Sequence, residues 1–336
     1  MNSLKFLYPF LPALLAISLV MVSGCTMPGT PFDSNTPAGA GIVIESFGTE
    51  PKMTEVYSGE EVKFVLKFRN TGTQKAENCF AELLGLDQMW KGAAGTRTNP
   101  NNQEVFPDES SCQYDNRGGW ITLLPPDPAT GIEGGDKICT WRYVSPVVYV
   151  PHVDYKPRAR VFYDYKSFLI KTITIVPKEE LVVLQNQGKS LPVETSSKSN
   201  APISLDMETR SPIRTHGTGN ILTFPIVINI ENIGGGTVCA NSERCRKFTE
   251  GGSLWNQFKL TIELPDSMSF EPGSCGNGGN VAEEDIYLVA GKSQTIVCKV
   301  MVNSIPERLV QKNIRVTAEY GYFIDKTIEL SVLPSG

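Results

Sequence analysis

From Gly41 onward, hydrophobic and polar positions alternate along much of the chain. Val62, Phe64, Leu66 and Phe68 alternate with Lys63, Val65, Lys67 and Arg69. A period of two with charge on one side predicts a β-strand that covers a core with its other face. The pattern returns where Phe224, Ile226, Ile228 and Ile230 alternate with Pro225, Val227, Asn229 and Glu231. Pro225 has no N–H to give a ladder, which places the start of that strand at an edge or a bulge. Both strands run into Asn-x-Gly, as Asn70-Thr71-Gly72 and Asn232-Ile233-Gly234. This is a reversal signal, because Asn bonds nearby backbone and Gly accepts positive φ.

The correspondence between the two segments extends further. VKFVLKFRNTG and FPIVINIENIG lead to Cys79 and Cys239 respectively. Cys112 and Cys275 follow, then Cys139 and Cys298, and each copy closes on a tyrosine-rich stretch, ARVFYDYKSFLIKTITI or IRVTAEYGYFIDKTIEL. Landmarks in the same order mark a tandem repeat. In each closing stretch a tyrosine-rich run leads to Lys-Thr-Ile, which predicts a terminal β-hairpin. Outside the N-terminal segment no run supports a long helix. About seven short strands per copy, split by Gly, Pro and Asn, predict an all-β fold. The expectation is two tandem immunoglobulin-like antiparallel β-sandwich domains, at 42–177 and 203–334, joined by a flexible linker. The linker, 178–202, is polar, with one or two helical turns expected at Glu179–Gln187. So little apolar surface predicts an interdomain contact of about 600 Å² or less.

The N-terminus follows other rules. Leu4 to Val22 is almost unbroken apolar sequence with Lys5 near its start, the composition of a secretory signal. Val22-Ser23-Gly24-Cys25 resembles the lipobox of secreted lipoproteins, which implies a signal over 1–25 and a lipid on Cys25. Residues 26–41, rich in Gly, Pro, Ser and Thr, suit a disordered tether. Two alternatives stand beside this one. The apolar segment is long enough to stay as an uncleaved anchor, or it is cleaved and the protein released. All three put the domains outside the cytoplasm, and the lipid anchor is favoured.

Of eight cysteines, only Cys25 lies in the signal region. Matching places in the two copies predict the bridges Cys112–Cys139 and Cys275–Cys298, in keeping with an oxidising compartment. Cys239 and Cys245, close together in CANSERC, predict a third. Cys79 is left over, as a buried thiol or an intermolecular partner.

A net charge of -5 with interspersed signs offers no basic patch for nucleic acid. Zinc ligands usually come in pairs two to four residues apart. No such pair occurs here, and His152 and His216 lie in different halves. Asp127, Glu133 and Asp136, and likewise Glu283, Glu284 and Asp285, lack the order of a calcium loop and are expected to be solvated. The nucleophile-elbow, zinc-protease, P-loop and dinucleotide motifs are all missing. Catalytic, metal and cofactor sites are therefore expected to be absent. Trp141 shares a strand face with Cys139 and belongs to the core. Trp90 and Trp120 lie near loops and are the candidates for ligand contact, including stacking on sugar.

GEEVKFVLKFRNTG, the Asp-Lys turn of GGDKICTW and the closing stretch resemble CARDB-like and related immunoglobulin-like modules of archaeal and bacterial cell-surface proteins. NILTFPIVINIENIGGGTV and VAGKSQTIVCKV carry the same resemblance in the second copy. It implies adhesion, assembly or spacing at a surface. The sequence thus describes a non-catalytic, membrane-anchored surface protein with a structural or adhesion role. The alternative is an extracellular module that binds carbohydrate or cell-envelope polymer. The partners expected are the membrane, through the anchor, and a surface protein or polysaccharide.

Overall fold

The alternating segments fold as strands. The structure, a computed structural model, describes residues 41–92, 97–98, 104–105, 112, 119–215, 222–246 and 255–335. The signal, Cys25, the tether up to residue 40 and His216 lie outside the described residues. The first repeat opens with β1 (Ile42–Thr49), β2 (Glu55–Tyr57), β3 (Glu61–Asn70) and β4 (Ala76–Leu84). Short strands follow: β5 (Lys91–Gly92), β6 (Arg97–Thr98), β7 (Glu104–Val105) and β8 (Ile121–Leu123). It ends with β9 (Asp136–Val144), β10 (Val153–Tyr155) and β11 (Arg158–Pro177). Helix α1 (Lys178–Asn186) and β12 (Ser196–Lys198) connect the repeats. The second repeat has β13 (Ile203–Thr209), β14 (Ile213–Thr215), β15 (Leu222–Asn232), β16 (Thr237–Cys239), the one-turn α2 (Ser242–Arg246) and β17 (Gln257–Glu263). It closes with β18 (Met268–Phe270), β19 (Val281–Tyr287), β20 (Ser293–Val302), β21 (Val310–Thr327) and β22 (Leu330–Leu333).

Each repeat contributes one four-stranded sheet, β1-β3-β9-β5 or β13-β15-β20-β18. Both face a single nine-stranded sheet whose spine runs β19-β17-β21-β11-β4-β8. The chain is therefore all-β and sandwich-like, built of sheets whose strand pairs are antiparallel apart from β11–β14 and β2–β22 among the described residues. Val62, Phe64, Leu66 and Phe68 of β3 are buried, as are Phe224, Ile226, Ile228 and Ile230 of β15. They belong to one continuous core that spans both repeats. Pro225 lies just past Thr209–Ile226, the last β13–β15 pair, where β15 keeps only β20 as neighbour.

The expected terminal hairpins do not form. β11 runs unbroken for 20 residues and pairs antiparallel with β21 from Arg158–Thr327 to Ile175–Val310. The first part of β11 lies between β4 of its own repeat and the last part of β21. The second part of β11 pairs with the first part of β21, and its end joins β14 of the second repeat in parallel. Conversely, β22 enters the first repeat, parallel to β2 and antiparallel to β10. The last strand of each repeat thus completes the sandwich of the other, a reciprocal strand exchange within one chain. The physical cause lies in the hinge. Tyr163 and Tyr165 are both buried, and alternate positions of β11 stay core-facing through Asp164 without a break. A tight turn would need positive φ at its centre. Asp164-Tyr165-Lys166 is poorly suited to that, and Gly321 does not adopt it.

Asp164 pairs with Gly321, flanked by Tyr163–Tyr322 and Tyr165–Tyr320. Tyr163 meets the counterpart of Tyr165, and Tyr165 meets the counterpart of Tyr163; this reciprocal pairing makes the interface isologous, as in a two-fold dimer. The hydrogen bonds repeat that symmetry. Ile42 N donates to Tyr163 Oη and Ile203 N to Tyr320 Oη, each at 3.3 Å. Tyr165 Oη donates to Asn70 Oδ1 (3.4 Å) and Tyr322 Oη to Asn232 Oδ1 (2.6 Å). Gln74 N and Gly236 N in turn donate to these two hydroxyls.

Two beads on a flexible linker are therefore not what folds. The repeats share the longest ladder among the described residues, and 196–198 pair with Leu169–Lys171 of β11. The low apolar content of 178–202 was a poor guide, because the interface is made by the closing strands and not by the connection.

Candidate functional site

The cysteines meet in three bonds: Cys112–Cys139, Cys239–Cys245 and Cys275–Cys298, with Cα atoms 5.4, 5.4 and 5.2 Å apart. Cys79 is free and fully buried, and desolvation pushes its thiol pKa far up, which keeps it protonated. Trp90 does not present a ring to solvent. It is buried edge-on against Tyr155 (5.3 Å) and near Phe64 (6.2 Å), because the chain after β4 folds its indole back into the core. Trp120 is 40% exposed, with its ring 6.0 Å from Phe80.

The acidic loops are committed locally. Asp127 accepts bonds from Thr130 Oγ1 and Ala129 N, in that order the causes that hold its carboxyl below the usual range. Glu133 pairs with Arg69, and Asp136 lies 3.6 Å from Lys67. In the other set, Glu283 lies 3.6 Å from Lys259, and Glu284 accepts Gly276 N. Among the described residues no three His, Cys, Asp or Glu side chains are placed to hold a metal. His152 lies 3.7 Å from Asp154 at the surface. No helix among the described residues is long and apolar enough to cross a membrane.

Among the described residues, one concave feature lined by polar groups was not singled out by the sequence. It lies on the outer face of the nine-stranded sheet, beside the loop closed by Cys239–Cys245. Register builds its floor: Gln257 stands opposite Tyr287, and Lys259 lies between Asp285 and Glu319. Since Phe258, Leu260 and Ile262 face the core, Gln257 and Lys259 must face outward. Asn241 and Arg244 form the loop wall, and the groove encloses about 550 Å³. A second hollow of about 350 Å³ shares Asn241 and Glu319 and continues over Asp164, Lys166 and Asn78 towards the first repeat.

The wall is rigid for identifiable reasons. Phe80, Phe162, Phe323, Cys239 and Cys245 form a small second core between the loop and the sheet, with Trp255 against it. Phe80 and Phe162 stack at 4.7 Å, and Phe323 follows at 5.7 Å. Beside them Arg160 makes a two-pronged bond to Asp325, 2.7 Å on each arm, and lies 4.1 Å above the Phe323 ring. Ser242 N donates to Asp164 Oδ1 (2.5 Å), so the loop of the second repeat is pinned to β11 of the first.

The groove offers amides, carboxylates, a guanidinium and the ring of Tyr287, which is 55% exposed. Such a set can hydrogen-bond a hydroxyl-rich or peptide-like chain while one ring covers its apolar face. The signals that could have found this place are the polar run that follows Cys239 and Tyr287 at an outward position of its strand.

No family model and no curated protein matches the chain. Among solved structures it is similar to a secreted serine protease, VesC, from Vibrio cholerae, at 10% identity and a TM-score of 0.20. That match covers 86% of this chain and 51% of the other, so the chain spans about half of the protease. It is also similar to the C-terminal domain of the antigen I/II-family protein AspA from Streptococcus pyogenes (9% identity, 88% and 99% coverage, TM-score 0.14). The collagen binding domain of the surface protein RspB from Erysipelothrix rhusiopathiae is a third (10% identity, 88% and 94% coverage, TM-score 0.12). At these TM-scores the likenesses carry no argument about fold or function. The CARDB-like resemblance rests on the quoted motifs alone.

Proposed function

We propose that this chain is a non-catalytic structural or adhesion module that works outside the cell, tethered by a lipid on Cys25. The observation that carries the reading is the combination of three disulfides with two repeats locked by exchanged strands. Disulfides belong to oxidising compartments, and an interlocked pair suits a part that must hold its shape under load. The lipobox-like tetrad and the CARDB-like motifs favour a surface location. Mass spectrometry of the mature N-terminus tests the anchor: a lipidated Cys25 is expected, and an unmodified residue upstream of it would overturn the tether.

The groove beside Cys239–Cys245 favours a second reading, in which the module binds carbohydrate or cell-envelope polymer. Sedimentation with purified envelope polysaccharide is the test. Tyr287→Ala should weaken the association about tenfold, the value of one stacked ring at roughly 1–1.5 kcal/mol. Equal retention of both proteins would count against it.

A further inference from the structure

The two exchanged strands are not equivalent. The strand that the first repeat donates is the continuous end of β11, with no break from Arg158 to Pro177. The strand that the second repeat donates, β22, is only four residues long and is separated from β21 by Ile328 and Glu329, which lie in no strand. Its acceptor is also unusual. In the sheet β10-β22-β2 the donor is the middle strand, and β2 and β10 have no other strand neighbour. Without β22, both would face each other across a slot with unpaired N–H and C=O groups, a strong demand for an extended segment.

The slot is selective. Leu330 and Val332 are buried, and Val332 lies between Val56 of β2 and Val153 of β10. Ser331 N donates to Thr54 O (2.9 Å) and Ser331 Oγ to Asp154 Oδ1 (2.6 Å). Ser58 closes the far end, donating to Leu333 O through both N (2.8 Å) and Oγ (3.0 Å). A ligand must therefore be extended, with apolar side chains two residues apart and a small polar residue between them. Every one of these contacts is non-covalent and far apart in sequence, so they are identical whether the donor belongs to the same chain or to another.

We propose that the slot between β2 and β10 is a strand-binding site that also works between molecules, its ligand being residues 328–334 of a second copy of this chain. Ile328 N stays bonded to Pro157 O (3.0 Å), so the chain turns away at Glu329 when the donor leaves, and the vacated slot accepts the same segment from a neighbour. Copies concentrated side by side would then link through their β22 strands. This proposal does not depend on what the surface groove binds.

The test uses two full-length variants. Val332→Asp spoils the donor and leaves the slot intact, whereas Val56→Asp spoils the slot and leaves the donor intact. Each alone should be monomeric by light scattering, and their mixture should form a 1:1 complex. A labelled peptide of residues 327–335 should bind the Val332→Asp chain at least ten times more tightly than the wild type, whose slot is filled. Absence of both the complex and peptide binding would overturn the proposal, as would equal peptide uptake by the two chains. Should either variant lose its β-sheet circular dichroism, peptide exchange into the warmed wild-type chain decides. Uptake that a peptide with Val332→Asp cannot reproduce supports the site, and no uptake refutes it.

Discussion

Replacing Gly321 with alanine would drive a methyl group into backbone. The added Cβ would lie 2.0 Å from Asn241 C, 2.3 Å from Ser242 N and 2.5 Å from Asn241 O. Side chains could swing away from such a contact, but these atoms belong to a loop tied by Cys239–Cys245. The loop must lift as a unit. Lifting it breaks the bond from Ser242 N to the Asp164 carboxylate, worth about 1.5–3 kcal/mol for a charged acceptor. It also loosens the lid over Phe80, Phe162 and Phe323, for which overpacking of about 1–3 kcal/mol is a fair measure. Together these predict a loss of about 3–5 kcal/mol, read as a lower urea midpoint with an unchanged slope. Gly48→Ala is the control, since nothing lies within 4 Å of its added Cβ, and it should stay within about 0.5 kcal/mol. A loss below about 1 kcal/mol for Gly321→Ala would refute the picture of a pinned loop.

Arg160 and Asp325 join the repeats directly, so a double-mutant cycle with Arg160→Ala and Asp325→Ala should show a coupling of about 1.5–3 kcal/mol. A coupling near zero would remove them as a lock. Burial, the largest cause, pushes the hydroxyls of Tyr165 and Tyr322 up to about 12 from an ordinary 10.0. A pKa raised by folding contributes stability that is complete below pH 10.0 and lost as pH climbs to about 12. The loss is roughly 2–3 kcal/mol for each tyrosine. Tyrosinate absorbance and loss of circular dichroism should therefore rise together in that window; ionisation of these two rings in a chain with native dichroism would contradict this. Removing Cys275–Cys298, which spans 23 positions, should cost about 3 kcal/mol, against about 2 kcal/mol for Cys239–Cys245, which spans 6. Denaturant midpoints of the two Cys→Ser pairs would show the order, and a reversed order would point to native-state effects that outweigh loop closure.

Several parts of the fold could be read before any coordinates. Val62–Phe68 and Phe224–Ile230 announced their buried faces, because a strand turns every second side chain the same way. The repeat also predicts Cys112 beside Cys139 and Cys275 beside Cys298, and the structure bonds both pairs. The candidate groove was not legible. Gln257, Tyr287, Lys259 and Glu319 look like ordinary exposed residues on three separate strands, and only register brings them together. Trp90 misled for a related reason: a loop position in sequence says nothing about which way an indole folds.

Local pattern alone determined that this chain makes strands, which faces are apolar, and that the pattern occurs twice. Tertiary structure alone decided whether each closing strand returns to its own repeat or crosses to the other. Both outcomes bury Tyr163, Tyr165, Tyr320 and Tyr322 and satisfy the same backbone ladders, so composition and periodicity cannot tell them apart. The choice falls at the hinge around Asp164 and Gly321, where the ladder between the repeats runs through without a turn. Two similar halves in one chain then find each other's acceptor as readily as their own.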